Sequence, residues 1–210
     1  MTRTISAGDD GQATRTRKAE QSEATRLALI AVARELFAAR GYAGVGTEEI
    51  VQQARVTRGA LYHHFRDKRD LFRAVHEQLE AELAEALVTQ LAEGPADDPI
   101  ALLGTGVRAF LDHCMDPALA RIALVDAPSV LGWRQWREVD EKYGLGLVVA
   151  GLRGAMAAGA ITDQPVKPLA HVILGAVGEA GMLIANAEDP KAARAEVEPP
   201  LLALLRGLRA

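Results

Sequence analysis

The chain has a single cysteine among its 210 residues, Cys114, so no internal disulfide can form and a reducing, cytoplasmic setting is expected. Aromatic residues make up only 4% of it, while Ala, Leu, Glu and Arg are plentiful, a balance that favours helix. No stretch of about 20 residues is uninterruptedly apolar and the N-terminus carries no apolar signal core, so neither membrane spanning nor secretion is expected. Nowhere do apolar and polar residues alternate with period two between turn signals, which leaves strands without a signature. Catalytic and metal spacings are missing as well. There is no Glu-x-x-His for a di-iron bundle, no His-Glu-x-x-His for zinc and no Gly-x-Ser-x-Gly for a hydrolase. His63 and His64 adjoin, but helical neighbours point about 100° apart and chelate poorly. Cys114 has apolar periodic neighbours in Val107, Phe110 and Leu111, so buried packing is expected of it rather than nucleophilic chemistry. No catalytic residue, metal ligand or cofactor is expected.

The net charge of −4 hides an asymmetry. Residues 1–70 carry 12 Lys and Arg against 9 Asp and Glu, whereas residues 71–210 carry 12 against 19. A basic front and an acidic remainder suit a chain whose first part meets phosphates while the rest does something else.

Residues 1–21 are polar and without periodicity, and read as a flexible arm. From Ser22 the pattern turns helical, with Leu29, Ile30, Ala33, Leu36 and Phe37 forming one apolar stripe. Gly41 follows as a helix C-cap, where a left-handed conformation costs glycine little. Thr47 is placed to cap a short second helix, with Glu48 and Glu49 at its positive end and Ile50, Val51 and Ala54 on its buried side. Thr57 caps a third helix in which Leu61 and Phe65 share a face. Asp67 caps a long fourth, with Asp70 as a capping-box-like partner and Leu71, Val75, Leu79, Leu83, Leu87 and Leu91 down one side. Gly94-Pro95 breaks the pattern, and Asp98-Pro99 starts another helix through about Met115. Shorter helical pieces follow around 117–126 and 132–159. Pro165 and Pro168 precede a strongly apolar helix to about Ala187, and a final short helix begins near Pro199-Pro200. The chain reads as all-α.

Three short consecutive helices, the second and third joined by a tight turn, have the form of a helix-turn-helix. Entry into a DNA groove needs a slim helix start and donors for the flanking phosphates. Gly59 and Ala60 are small; Arg58, Tyr62 and His63 project opposite Leu61 and Phe65. Thr57 and Lys68 sit at helix starts, where phosphates are well received. In the preceding arm, Arg15, Arg17 and Lys18 are either further DNA contacts or a solvated tail.

The run Leu29-Ile30, Leu36-Phe37, Gly41-Tyr42, Thr47, Ile50, Ala54 and Val56 through Phe65, then Lys68 and Leu71, resembles the N-terminal domain of the TetR family of transcriptional regulators. That resemblance implies phosphate contacts from Thr47, Tyr62 and Lys68, and groove contacts from Thr57, Arg58, Gly59, Ala60 and His63. One departure stands out. Arg55 occupies the turn position the family usually gives to glycine, and a positive φ there would cost about 1 kcal/mol. The implied layout is a DNA-binding domain over 22–68, with the motif at about 46–65, and a larger helical effector-binding and dimerisation domain over 69–210.

A single recognition helix reads too few bases for genomic specificity, so a homodimer on a palindromic double-stranded operator is expected. The resemblance places the dimer interface on the last two helices, with an apolar stripe of Ile173, Val177, Ala180 and Ile184, helped by Gly175, Gly178 and Gly181, and with Leu201, Leu205 and Leu208. It places a small-molecule effector in the middle of the chain, where Phe110, His113, Arg121, Trp133, Trp136, Tyr143, Glu179 and Asn186 are candidate pocket residues. Arg121 is also expected to pair with a nearby acid such as Asp126. Repression relieved by the effector is the family's commoner habit. Two other classes fit less: an α-helical enzyme or metal protein, and a helical interaction module in which Arg58, Tyr62, His63 and Lys68 would be decoration.

Overall fold

The computed structural model describes residues 9–95 and 97–210, with side chains from residue 17 onward. Among these the secondary structure is helical apart from one isolated bridge between Ile161 and Arg209. The N-terminal part comprises α1 (Asp9–Arg40), α2 (Thr47–Gln53) and α3 (Arg58–His64), followed by α4 (Lys68–Ala92). The remainder comprises α5 (Pro99–His113), α6 (Pro117–Leu119), α7 (Ala127–Asp140), α8 (Gly146–Ala157), α9 (Val166–Ala185) and α10 (Pro190–Arg206). Two π-helical turns, Ala120–Asp126 and Glu141–Leu145, join α6 to α7 and α7 to α8.

Most helix starts follow from their caps. Thr57 accepts the Ala60 N–H at 3.1 Å, Asp67 accepts that of Asp70 at 2.8 Å, and Asp98 accepts those of Ile100 and Ala101 at 3.0 Å. Asp70 completes the box from one residue further back, taking the Arg66 N–H at 3.1 Å. Four starts differ from the sequence reading, the slightest being α9, which begins at Val166 and takes Pro168 into its first turn. Helix α1 begins at Asp9, so residues 9–21 are helix rather than arm; residues 1–8 lie outside the described residues. The helix formers of that stretch suffice, and residues 17–21 are exposed, so no apolar stripe marks the added turns. Gly46, not Thr47, is the cap residue of α2, with Thr47 one position inside the helix. Helix α10 starts at Pro190 behind the Asp189 cap and runs through Pro199 and Pro200. Both prolines face solvent, where water can serve the carbonyls they leave unpaired, and Val197, Leu201 and Leu205 keep a four-residue spacing across them.

Two hydrophobic cores result. The first gathers Leu29, Ile30, Phe37, Ile50, Leu61, Phe65, Leu71 and Phe72, and it also takes in Ile122, Ala127 and Leu131 from the C-terminal part. The second is built by α5, α8, α9 and α10 around Leu111, Leu152, Ile161 and Ile184, with Leu83 of α4 in it. Cys114 is buried in this second core and free, as its neighbours indicated. Helix α7 bends at Gly132, whose φ of 73° and ψ of 157° lie in a region all but closed to other residues.

Gly41 has φ 72°, and Arg55 is the one positive-φ residue other than glycine among the described residues, at 55°. Opposite outcomes are expected at the two positions. Arg55→Gly removes left-handed strain and should raise stability by about 0.5–1 kcal/mol. A Cβ at Gly41 would lie 2.8 Å from Arg121 Nη2, so Gly41→Ala adds a displaced guanidinium to the strain and should cost about 1–2 kcal/mol. Denaturant midpoints of the two variants check both signs.

Candidate nucleic-acid interface and effector chamber

Ile50, Leu61 and Phe65 are buried at the root of the two short helices and fix how α3 stands on the scaffold. Its outer side carries Thr57, Arg58, Gly59, Tyr62 and His63, all exposed, with Ala60 half-buried. A Cβ on Gly59 would meet only Thr57 Oγ1, at 3.8 Å. The fold itself therefore does not demand glycine there, and its φ is ordinary; the missing side chain serves whatever approaches from outside. Arg58 leans over the Tyr62 ring, 5.6 Å from its centroid, and its Nη1 meets Glu48 Oε1 at 2.9 Å. Sequence reading had placed Glu48 only as a helix-dipole partner, because nothing local to α2 signals a contact ten residues on. Glu49 is likewise held, by Arg40 at 2.5 Å, so both acids at the front of α2 are neutralised.

Thr47 is half-buried at the start of α2. Lys68 turns inward. Its Nζ donates to the carbonyls of Tyr42 and Val45, each at 2.9 Å, and lies 4.0 Å from the Tyr42 ring centroid, while burial holds its pKa below the usual lysine value. It ties the α1–α2 loop to the start of α4, keeping at most one of its three N–H groups for any other partner. Arg17 and Lys18 are exposed on α1, and the side chain of Arg15 lies outside the described residues.

The same loop is gripped from the C-terminal part. Asp126 accepts the Tyr42 N–H at 2.7 Å and stands 3.9 Å from Arg121, whose guanidinium covers Gly41. Beside this contact Arg69 donates to the Leu131 carbonyl at 2.6 Å and to Gln135 Oε1 at 3.0 Å, one on each side of the Gly132 bend.

The candidate pocket residues do not converge. Arg121 belongs to the junction just described. Trp133 is 67% exposed, stacked near Trp136 and under Arg137. His113 lines a cleft with Arg34, Glu82 and Asp116, on the junction side of α5. Glu179 and Asn186 are exposed on α9, so the Glu179 carboxylate needs no buried partner within one subunit. Tyr143 is half-buried in the π turn, and Phe110 packs with Cys114 against Gly181, where a Cβ would lie 3.1 and 3.0 Å from them.

Another set of polar groups lies inside instead, His76 fully buried and the Glu80 and Asp140 side chains 18% and 25% exposed. His76 is 1% exposed with neither ring nitrogen partnered, and burial pushes its pKa down to about 4. One turn on, Glu80 Oε1 stands 3.8 Å from His76 Nδ1. Burial first and the charge of Asp140 second push Glu80 up to about 7. Asp140 is itself raised by burial, although Arg137 donates to it at 3.1 Å. Burial and then the nearby Glu80 push Cys114 up to about 12. His76 and Glu80 escaped the sequence reading because they sit among charged residues of α4, where only three-dimensional packing separates inner from outer sides.

An exposed, capped reading helix on a helical scaffold defines a helix-turn-helix DNA-binding protein. Comparison with known proteins agrees: the family model for bacterial regulatory proteins of the tetR family matches residues 29–75, and that for the tetracyclin repressor-like C-terminal domain matches residues 101–208. The transcriptional repressor AcnR of Corynebacterium glutamicum is 32% identical over 159 residues, covering 73% of this chain and 77% of AcnR. The crystal structure of a TetR-family regulator from Pectobacterium atrosepticum superposes with a TM-score of 0.79 at 35% identity, covering 91% of this chain and 97% of that one. The complex of RolR with resorcinol shares the fold, with a TM-score of 0.67 at 23% identity, covering 90% and 95%. Several other curated relatives are matched over only 43–65% of their length. The chain belongs to the TetR family of bacterial transcriptional regulators.

The raised Glu80 pKa has a thermodynamic sign. A carboxyl whose pKa is higher folded than unfolded costs stability as pH rises from its ordinary value through the folded one. The full shift is worth about 3 kcal/mol. Glu80→Gln should therefore be more stable than the native chain at pH 8, with the gain shrinking to nothing near pH 4. Thermal unfolding across that range checks the trend; a pH-independent difference would refute it.

Proposed function

We propose that this chain is a dimeric, ligand-responsive transcriptional repressor that binds a palindromic double-stranded operator in the cytoplasm and releases it when a small molecule enters the C-terminal part. It acts by binding, with no catalytic group and no cofactor. The observation that carries the reading is the outer side of α3, where Gly59 faces open space between Arg58 and Tyr62. Thr57, Arg58, Gly59, Ala60 and His63 enter the groove, and Tyr62 and Thr47 meet phosphates. Lys68 contributes mainly by holding the loop, with one N–H left for a phosphate. The Arg58–Glu48 pair is exposed on both sides and worth at most about 1 kcal/mol, so Arg58 exchanges it for a guanine edge at little cost.

Dimerisation falls on α9 and α10, but on a different stripe from the one read in the sequence. Val177, Ala180, Ile184, Leu201 and Leu205 are buried within the subunit. The outward stripe is Val172, Gly175, Glu179 and Leu183, with Leu204 beside it; Val172 is 70%, Leu183 54% and Leu204 63% exposed. Ile173 and Leu208 border the apolar groove between these helices and join both sets. Helix α9 is long and apolar enough to cross a membrane by length and composition, and an apolar side in the core plus another against a partner accounts for that.

Release follows as a population shift. The effector favours a subunit geometry in which the two α3 helices are wrongly spaced, and operator favours the other. RolR, which shares the fold, was solved with its ligand resorcinol, which supports a small-molecule effector.

Selecting sites from a random duplex pool with the purified protein should return a palindrome with half-sites about one helical turn apart. Tyr62→Ala should weaken binding to every selected sequence alike, by about 10-fold. An enriched pool without symmetry, or no enrichment at low salt, would overturn the reading. Val172→Glu with Leu204→Glu should give a folded monomer by sedimentation and lower operator affinity at least about 100-fold. A dimer surviving both substitutions would place the interface elsewhere.

A further inference from the structure

The polar groups buried beside α4 are short of one positive charge. His76 and Glu80 of α4, Arg137 and Asp140 of α7, Glu141 and Lys142 of the adjoining π turn, Cys114 after α5 and His171 of α9 make up the titratable surroundings. Of the two fixed cations among them, Arg137 is committed to Asp140 at 3.1 Å, and Lys142 is exposed over the Tyr143 ring. The group able to carry positive charge that comes within ion-pair distance of Glu80 is His76, at 3.8 Å, and burial lowers the pKa of that imidazole. Both His76 nitrogens are buried without a partner, a state folded proteins rarely leave unfilled. Charged and polar groups held unpaired in an apolar interior cost stability, and binding sites carry that cost for an occupant.

We propose that the effector is a small organic cation, an ammonium or amidinium on an apolar body, whose charged end binds Glu80 and whose second polar atom meets His76. The proposal rests on the regulator reading above and names the ligand that reading requires. An anion would sit against Glu80 and Asp140, where the neighbouring Arg137 is already taken by Asp140. A neutral hydroxyl would hydrogen-bond to Glu80 yet leave its charge uncompensated, the weaker choice in an apolar surround. The cation supplies both charge and donors. The walls suit its body: Leu79 and Leu83 are buried along α4, and Cys114 and Phe110 close against Gly181. The two π-helical turns flank α7, and Gly144 leaves only 3.6 Å between a would-be Cβ and Asp140 Oδ1.

Binding draws Glu80 into its charged form, so at neutral pH the cation expels part of a proton. The test compares benzylammonium, benzyl alcohol and benzoate, matched in ring and reach, by calorimetry on the full chain near pH 7 in two buffers of different ionisation enthalpy. Benzylammonium should bind about 10-fold or more tighter than the alcohol and benzoate weakest, with about half a proton released per cation bound. Glu80→Gln should abolish both the preference and the proton release while the protein stays folded, and Trp133→Ala, on an exposed residue, should change neither. Equal or better binding of the alcohol or benzoate, no binding of any probe at millimolar concentration, or a preference that survives Glu80→Gln would overturn the proposal. Because operator selection needs no ligand, a palindrome found alongside any of these failures would leave the regulator reading standing.

Discussion

One straight helix belongs to both halves of the molecule, and the rest depends on it. Leu71, Phe72, Val75 and Leu79 of α4 lie in the first core, and Leu83 lies in the second. A helix of 25 residues spans about 37 Å and, with no proline or glycine within it, has no built-in bend. Its first residue, Lys68, holds the carbonyls of the loop that leads into α2. Its middle carries His76 and Glu80, three turns further on. Packed into both cores, α4 ties the surroundings of Glu80 to that loop by direct contact.

A second path runs through α7. The first turn of that helix is part of the DNA-side core, by way of Ala127 and Leu131, while its last residue is Asp140. The Gly132 bend divides the two, and Arg69 bonds to both sides of it. The bend is therefore a joint, since backbone in that conformation has no side chain to lock it and one guanidinium spans it. Two elements, α4 and α7, thus run from Glu80 and Asp140 to the junction where Asp126 accepts the Tyr42 N–H and Lys68 donates to the Tyr42 carbonyl. Neither path requires a long conformational relay; both are single helices whose two ends sit in different cores.

The readable parts of this fold were those set by neighbours in sequence. Thr57, Asp67 and Asp98 cap what their spacing said they would, Gly41 and Arg55 take the positive φ values their positions demanded, and the α2–α3 unit stands where its apolar spacing put it. What failed was set by contacts distant in sequence. The solvent-facing turns at the front of α1 and the prolines inside α10 carry no apolar code. On α9 nearly every side is apolar, so periodicity finds a stripe without saying whether it faces the subunit's own core or a partner; Val177 went inward and Val172 outward. The pocket residues were picked for aromatic and polar character in the middle of the chain. The unpartnered His76 and its neighbour Glu80 lie on α4, in a segment whose charge density reads as surface.

The energetics of release then constrain the ligand. A repressor must leave DNA when the effector binds, and by reciprocity the operator must weaken effector binding by the same factor. A ligand indifferent to the two geometries shifts nothing, however tightly it binds. Glu80 relieves its isolation by holding a proton near neutral pH, which lowers the cost of leaving it without a charged partner. On the proposal above, a cation at Glu80 would displace that proton and place a positive charge between α4, which carries Glu80, and the end of α7, which carries Asp140. The coupling that this proposal supplies is a charge that both helices face only when it is present. An apolar effector of the same shape would fill space without giving the helices a common partner.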